Sequence, residues 1–436
     1  MNILSILTLL TVLATNPAIE YSGRIDFSYP EAPTFSYPGV SVRTSVNAST
    51  VSVTLDDELG ENYFAMVVDN VFTGKIKAQK GRNTYPVATF AEKGEHEIEI
   101  VKITEDEFGK TSFIGFELDA EGTANQPAPR SHTIEFVGNS ITCGYGNEGL
   151  IGQRFSASTE NHYMTYAAMT ARSFNAKTIV AAKSGKGIYR NYAGPSAGNP
   201  DNMTDYYDRT FFFDAEPKYN FATQPDLICI NLGTNDMSTP GYDTALFINN
   251  YLRLIDQIQT NYKQPDIVCL LGTMLYGPAL DTARLCISEV ARRANARGKG
   301  RVSFFEMTQQ NIKENGLGID THPTVKQHIV SARELIGFIG QLKGWAVVPQ
   351  FLMAKLSGES QITLYANSTE CLQPNTTAAI EIIADGQPMA PVSVTADQTK
   401  NTLTIAVNGN LANADKIEFR GSAEFLKMMR CVVEKK

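Results

Sequence analysis

Residues 134–146 read Ile-Glu-Phe-Val-Gly-Asn-Ser-Ile-Thr-Cys-Gly-Tyr-Gly. Ile134, Phe136 and Val137 make a short apolar strand. The chain then turns through Gly138 and Asn139 into Ser140, with Gly144 and Gly146 opening the loop beyond. A serine hydroxyl is thereby set at the carboxyl end of a strand, which is where open α/β sheets bind their ligands. The small residues around it let backbone N–H groups approach an anion. A Gly-x-Ser turn after a strand is common, so this stretch takes its meaning from the rest of the chain.

Downstream, strands alternate with helices. Short apolar runs rich in β-branched residues predict strands at 177–182, 227–232, 267–271 and 302–306. Between them Tyr163, Tyr166/Ala167, Thr170/Ala171 and Phe174 recur at helical spacing, as do Phe247/Ile248, Tyr251/Leu252, Ile255 and Ile258. Further helices are predicted over Thr282–Ala296 and Val325–Leu342. With 134–137, the pattern is an α/β domain over 131–345 built on a doubly wound parallel sheet. Residues 184–224, rich in Gly, Asn, Tyr and Asp without a period, read as a long surface excursion lining the site.

Upstream, residues 20–125 alternate with period two. Val51, Val53 and Leu55 face one way, and so do Ile98 and Ile100. Evenly spaced strands without helices predict a β-sandwich of the jelly-roll kind. The stretch 123–130, with two prolines, is a linker too short to let the domains roam. Residues 350–436 return to β signals and predict a small β domain, with hairpin turns at Asp385-Gly386 and Asn408-Gly409.

Composition bounds the function. At 436 residues the chain holds roughly three domains. A net charge of −8, with no stripe of Lys and Arg, argues against nucleic acid as a partner. The apolar run Ile3–Ala14 is too short to span a bilayer, and Val12-Leu13-Ala14 offers small residues for a signal-peptidase cut. It reads as a secretory signal within residues 1–19, placing the protein outside the cytoplasm as a secreted or periplasmic one. No Lys or Arg precedes the run, and a buried first strand is the competing reading. No other stretch is long enough to cross a membrane. Six cysteines in this length are no disulfide framework: Cys229 and Cys269 read as buried thiols, while Cys371 and Cys431 are a candidate pair. Five histidines without zinc-like spacing predict no metal site and no cofactor.

Four blocks carry chemistry. They are Gly138-Asn139-Ser140, Lys183-Ser184-Gly185-Lys186-Gly187, Leu232-Gly233-Thr234-Asn235-Asp236 and Asp320-Thr321-His322-Pro323. Three follow strands and one enters the last helix, so one cleft at the sheet edge can hold them all. Acyl transfer needs a nucleophile, a base and donors for a developing oxyanion. Ser140 supplies the hydroxyl, and a histidine such as His322 can take its proton near neutral pH. The N–H groups of Ser140 and Gly185 and the amide of Asn235 can supply the donors. Each block alone is an ordinary turn or cap; together and in order they are a catalytic set. Walker and Rossmann fingerprints are absent.

These blocks resemble those of the SGNH (GDSL-like) hydrolases. Ile-Glu-Phe-Val-Gly-Asn-Ser-Ile-Thr-Cys-Gly-Tyr-Gly, Ser-Gly-Lys-Gly-Ile-Tyr-Arg-Asn, Val68-Asp69-Asn70 and the 94–105 run resemble carbohydrate esterase family 2 more specifically. The resemblance covers about 20–345 and implies a jelly roll followed by a three-layer α/β/α SGNH domain. It also implies a metal-independent serine esterase that removes O-acetyl groups from plant polysaccharides such as xylan and glucomannan. Carried onto this chain, it makes Ser140 the nucleophile and His322 the base. Gly185 and Asn235 become oxyanion donors, with Gly187 as an alternative to Gly185, and Asp320 a candidate orienting carboxylate of a triad; the rival is a Ser–His dyad in which a backbone carbonyl orients the histidine and Asp320 caps the final helix. Tyr189, in the Tyr-rich loop, is a candidate substrate contact. The rival reading is a carbohydrate-binding protein on the same scaffold. The chain departs from the pattern in three ways. Asp320 precedes His322 by two residues where three are usual, Thr321 replaces a frequent aromatic, and 350–436 extends past the usual end.

Overall fold

The computed structural model describes residues 9–373, 380–414 and 417–421. The start of the apolar leader and Cys431, the suggested partner of Cys371, lie outside them.

The parallel sheet forms as the alternation predicts. Its strands are His132–Gly138, Ala176–Ala182, Leu227–Asn231, Asp266–Leu271 and Val302–Glu306. All pairings are parallel, with Ala176–Ala182 at one edge beside His132–Gly138 and Val302–Glu306 at the other edge. Period two sorts the side chains into two cores. Val137, Ile228, Ile230, Ile267, Cys269 and Leu271 enter one, which helices Thr244–Asn261 and Gly277–Ala296 cover. Ile134, Phe136, Leu227, Cys229, Val268 and Leu270 enter the other, under helices Tyr166–Ser173 and Val325–Lys343. The result is a three-layer α/β/α domain. Gly138 lies level with Ala182 on one side and Asn231 on the other. The loops that start at Asn139, Lys183 and Leu232 therefore leave the sheet side by side.

The amino-terminal domain is antiparallel, with Ser41–Asp57 and Gly81–Lys102 as long central strands. Along the first, Val42, Val46 and Ala48 face the core on even positions, then Val51, Val53 and Leu55 on odd ones. A register shift between Ala48 and Thr50 accounts for the change. One extra residue flips side-chain parity, so the bulge keeps the apolar face inward. The Asp119 carboxylate accepts from the N–H groups of Ser49 (2.5 Å) and Thr50 (3.2 Å), holding the bulge.

Leu9–Leu13, inside the stretch read as a leader, pairs at the sheet edge with Thr111–Asp119. Val12 and Ala14 join the core, while Leu9, Leu10 and Leu13 are exposed. The expected linker is held to the β domain. Thr123–Asn125 pairs with Ser41–Asp57, and the Ala128 carbonyl accepts from Arg43 at 2.6 Å.

The two domains share a core. Ala65, Val67, Val101 and Ile103 pack in the same cluster as Phe136, Tyr166 and Ile329. Residues 184–224 are only partly the surface excursion expected, because Ile188, Tyr189, Met203, Tyr207 and Phe212 are buried against the sheet. Arg24 of the β domain bolts them down. It pairs with Glu135 at 2.8 Å, donates to the carbonyls of Tyr207 and of Arg209 (2.9 Å), and lies against the rings of Tyr207 and Tyr219. Removing one partner of a fully buried pair costs about 3–5 kcal/mol, since the other charge is left unpaired.

The last segment forms two small antiparallel sheets. Asp385-Gly386 makes the predicted hairpin between Ile380–Ala384 and Gln387–Met389. Asn408-Gly409 does not. The strand before it ends at Val407, and the next, Ile417–Gly421, belongs to the other sheet. Arg333 of the last helix donates to the carbonyls of Ala366, Lys400 and Asn401 at 2.6–2.7 Å, docking this domain on the helix that follows His322.

Candidate active site

Ser140 opens a four-residue helix, Ser140–Cys143, capped by the Asn139 side chain, which accepts from Ile141 N–H at 3.1 Å. Its hydroxyl lies 2.8 Å from His322 Nε2. His322 is extended (φ −69°, ψ 160°), as a residue before proline should be. Its Nδ1–H donates to the Ile319 carbonyl at 3.1 Å. That bond fixes the tautomer, so the Nε2 lone pair faces the serine proton. Burial pushes the His322 imidazole below its ordinary value, against the opposing pull of the Ile319 carbonyl. A base with a lowered pKa stays neutral to lower pH. The acid limb of kcat/KM is therefore expected to have its midpoint below the ordinary histidine value of about 6.5, with a plateau above it. A midpoint above that value in a pH–rate profile would contradict this environment.

Asp320 does not orient the histidine, and the triad expectation is corrected to a Ser–His dyad. Asp320 (φ 49°) and Thr321 (φ 65°) are both left-handed, and this pair of residues swings the carboxylate outward. It accepts instead from the Tyr145 hydroxyl at 2.9 Å. Tyr145 stacks on Phe155 at 3.7 Å, and its ring lies 4.6 Å from the imidazole. Asp320→Asn is expected to change kcat by less than about tenfold, where an orienting aspartate would cost about 10⁴-fold. Kinetics of that single variant check the point.

The donor loop is braced from several sides. Gly185 has φ +78° with open space where a side chain would stand, so glycine serves the backbone turn there. Gly187 serves close packing, since a Cβ would lie 1.9 Å from the Arg190 carbonyl, and its N–H, the alternative donor, is given to Asn191 Oδ1 at 3.3 Å. Asn235 spends one amide N–H on the Lys186 carbonyl at 2.8 Å and keeps the other. Among the described residues no protein acceptor takes the N–H of Ser140 or of Gly185. The buried Asp236 carboxylate accepts from the N–H groups of Ile188, Tyr189 and Arg190 at 2.9–3.0 Å, and burial pushes it up to about 6.

Tyr189 is corrected as a substrate contact. It is buried, and its hydroxyl accepts from Asp243 N–H at 2.7 Å. Tyr192 is the exposed tyrosine of that loop, and its N–H donates to the Gly185 carbonyl at 2.9 Å.

Two family models match: carbohydrate esterase 2 N-terminal over residues 21–129 and the GDSL-like lipase/acylhydrolase family over 136–328. A solved family two carbohydrate esterase from Clostridium thermocellum, in complex with cellohexaose, is 35% identical with a TM-score of 0.71. The match covers 75% of this chain and 99% of that one. The chain belongs to carbohydrate esterase family 2. The cellulase/esterase CelE of Acetivibrio thermocellus is 36% identical over 332 residues, and the match spans 76% of this chain but 40% of CelE. An acetylxylan esterase/glucomannan deacetylase of Cellvibrio japonicus is 29% identical over 339 residues, 77% of this chain and 92% of that protein. The family makes this protein a carboxylic ester hydrolase of the carbohydrate esterases.

Two further parts of the centre escaped the sequence reading. Tyr145 stood in the quoted loop, and its aromatic character beside glycines was the available signal. Glu105 stood in Thr104-Glu105-Asp106-Glu107 at the end of a β run, in the domain without catalytic blocks. Glu105, Cys143 and Glu160 bring donor atoms within 4.8 Å of one another, but Lys183 already holds Glu105 at 2.9 Å and supplies the positive charge there.

Proposed function

We propose that this esterase removes O-acetyl groups from plant-type polysaccharides or their oligosaccharides through an acetyl-enzyme, and that it does so as a secreted protein. The observation that carries the reading is the Ser140 hydroxyl at 2.8 Å from an imidazole whose other nitrogen is tied to a carbonyl. Ser140 Oγ attacks the acetyl carbonyl carbon as its proton passes to His322 Nε2. The carbonyl electrons move onto oxygen, where the N–H groups of Ser140 and Gly185 and the second Asn235 N–H stabilise the oxyanion. Collapse breaks the bond to the sugar oxygen, which takes the proton from His322. Water, deprotonated by His322, then attacks the acetyl-serine and frees acetate and Ser140.

The Cellvibrio japonicus relative supports acetylated xylan and glucomannan as the substrate class, and the Clostridium thermocellum enzyme, solved in complex with cellohexaose, supports an oligosaccharide ligand. Exposed Tyr192, beside Gly185, offers a ring for a sugar face. Secretion rests on the apolar leader. A cut after Ala14 would remove the edge strand Leu9–Leu13, so the exported protein should begin beyond Ala14 when its amino terminus is sequenced. The substrate reading is tested by acetate release from a panel of acetylated xylan, glucomannan and acetylated monosaccharides. Release from the polysaccharides supports it; binding without release from any of them favours the carbohydrate-binding alternative.

A further inference from the structure

One carboxylate oxygen from the β domain reaches both halves of the oxyanion site. Glu105 Oε2 accepts from Lys183 Nζ and from Ser184 N–H, each at 2.9 Å, and from the Cys143 thiol at 3.9 Å. Ser184 precedes the donor Gly185, and Cys143 closes the short helix that Ser140 opens. The Glu105 side chain is 2% exposed and that of Lys183 is 9% exposed. Burial and the neighbouring carboxylates Glu105 and Glu160 keep the Cys143 thiol protonated, so it stays a donor. Glu105 is itself fixed. Its N–H donates to Glu160 at 3.2 Å, and its carbonyl accepts from the buried Lys102 at 3.1 Å.

We propose that Glu105 is a positioning residue for the esterase reaction, setting the distance between the Ser140 and Gly185 N–H donors from a separate domain. The inference rests on the acetyl-enzyme reading above. Without the carboxylate, the nearly buried Lys183 ammonium keeps one ion pair among the described residues, with the exposed Glu107, and the buried Asp106 carboxylate acts on it without a direct contact. A buried charge left short of partners is costly, so residues 183–186 shift to bring the ammonium to water, and Gly185 moves with them. Substrate binding by the outer cleft is left in place. The loss falls on the tetrahedral state alone.

The test uses the full chain on 4-nitrophenyl acetate, with methaneboronic acid as a probe whose tetrahedral adduct at Ser140 places an oxygen in the oxyanion site. Glu105→Ala is expected to lower kcat by about a hundredfold, the scale of one lost donor, with KM within about twofold and boronate affinity falling in parallel. Glu105→Gln keeps an acceptor for Ser184 but not the charge for Lys183, and an intermediate kcat loss of about tenfold is expected with KM within about twofold. Parent-like kcat and boronate affinity in folded Glu105→Ala would overturn the proposal. So would a loss that appears equally in KM and kcat. Should Glu105→Ala not fold, Glu105→Gln decides the matter: parent-like kinetics overturns the role, and a selective kcat loss upholds it. A Ser140→Ala control that stays active would instead sink the acetyl-enzyme reading itself.

Discussion

Ser140→Ala is expected to abolish ester turnover, lowering kcat by on the order of 10⁶-fold, the loss seen when a serine hydrolase is stripped of its nucleophile. His322→Ala should match it, and the double variant should lose no more than either, because the two act as one unit. The 2.8 Å contact between them is the physical reason. Stability should hold, since the Ser140 hydroxyl contributes a proton to His322 and no core packing. Its neighbours Ile141 and Thr142 make the buried contacts that hold the turn. A cooperative melt close to the parent's, alongside lost turnover, is the signature to look for. Retained binding of an oligosaccharide by the inactive variant would show that sugar recognition and chemistry are separable in this cleft.

Asn235→Ala is the second large effect. Its amide has two N–H groups, and the Lys186 carbonyl takes only one. Alanine removes the donor for the oxyanion and also frees the Lys186 carbonyl. kcat should fall by roughly 10²–10³-fold with KM little changed, because the lost bond forms only as charge develops. A variant with normal kcat and raised KM would mean that Asn235 binds ground-state substrate instead. Asp236→Asn should act differently, through the loop. The carboxylate holds three consecutive N–H groups, so its loss loosens the backbone of residues 188–190 and not the oxyanion donor itself.

The catalytic sheet is legible in the sequence because its signal is local. Strands rich in β-branched residues end at Gly138, Ala182 and Asn231, and parallel pairing sets those ends level. Ser140, Gly185 and Asn235 then stand out as candidates just past strand ends, and His322 at the entry of the last helix. The expectation for Asp320 fails for a specific reason. Pro323 imposes an extended conformation on His322, but that influence does not reach back two residues: Asp320 and Thr321 are left-handed, and nothing in Asp-Thr announces it. Tyr189 is misplaced by its sequence because a loop without period resembles a surface, whereas burial of its aromatics is set by tertiary contacts from Arg24. Glu105 is out of reach for a similar reason. Its partners Lys183, Ser184 and Cys143 lie far along the chain, and a single acidic residue after a strand has no local mark of such a role.

The most direct test of the account is to trap the intermediate. The 436-residue chain, mixed with 4-nitrophenyl acetate and quenched in acid within the first turnovers, is digested and its peptides weighed. The account predicts one added acetyl group, on the peptide carrying Ser140 and on Ser140 itself. The label should be absent from Ser140→Ala and lost on longer incubation as acetate is released. Acetate release at the parent's rate with no acetyl on Ser140 at any quench time, or with equal release by Ser140→Ala, would contradict it.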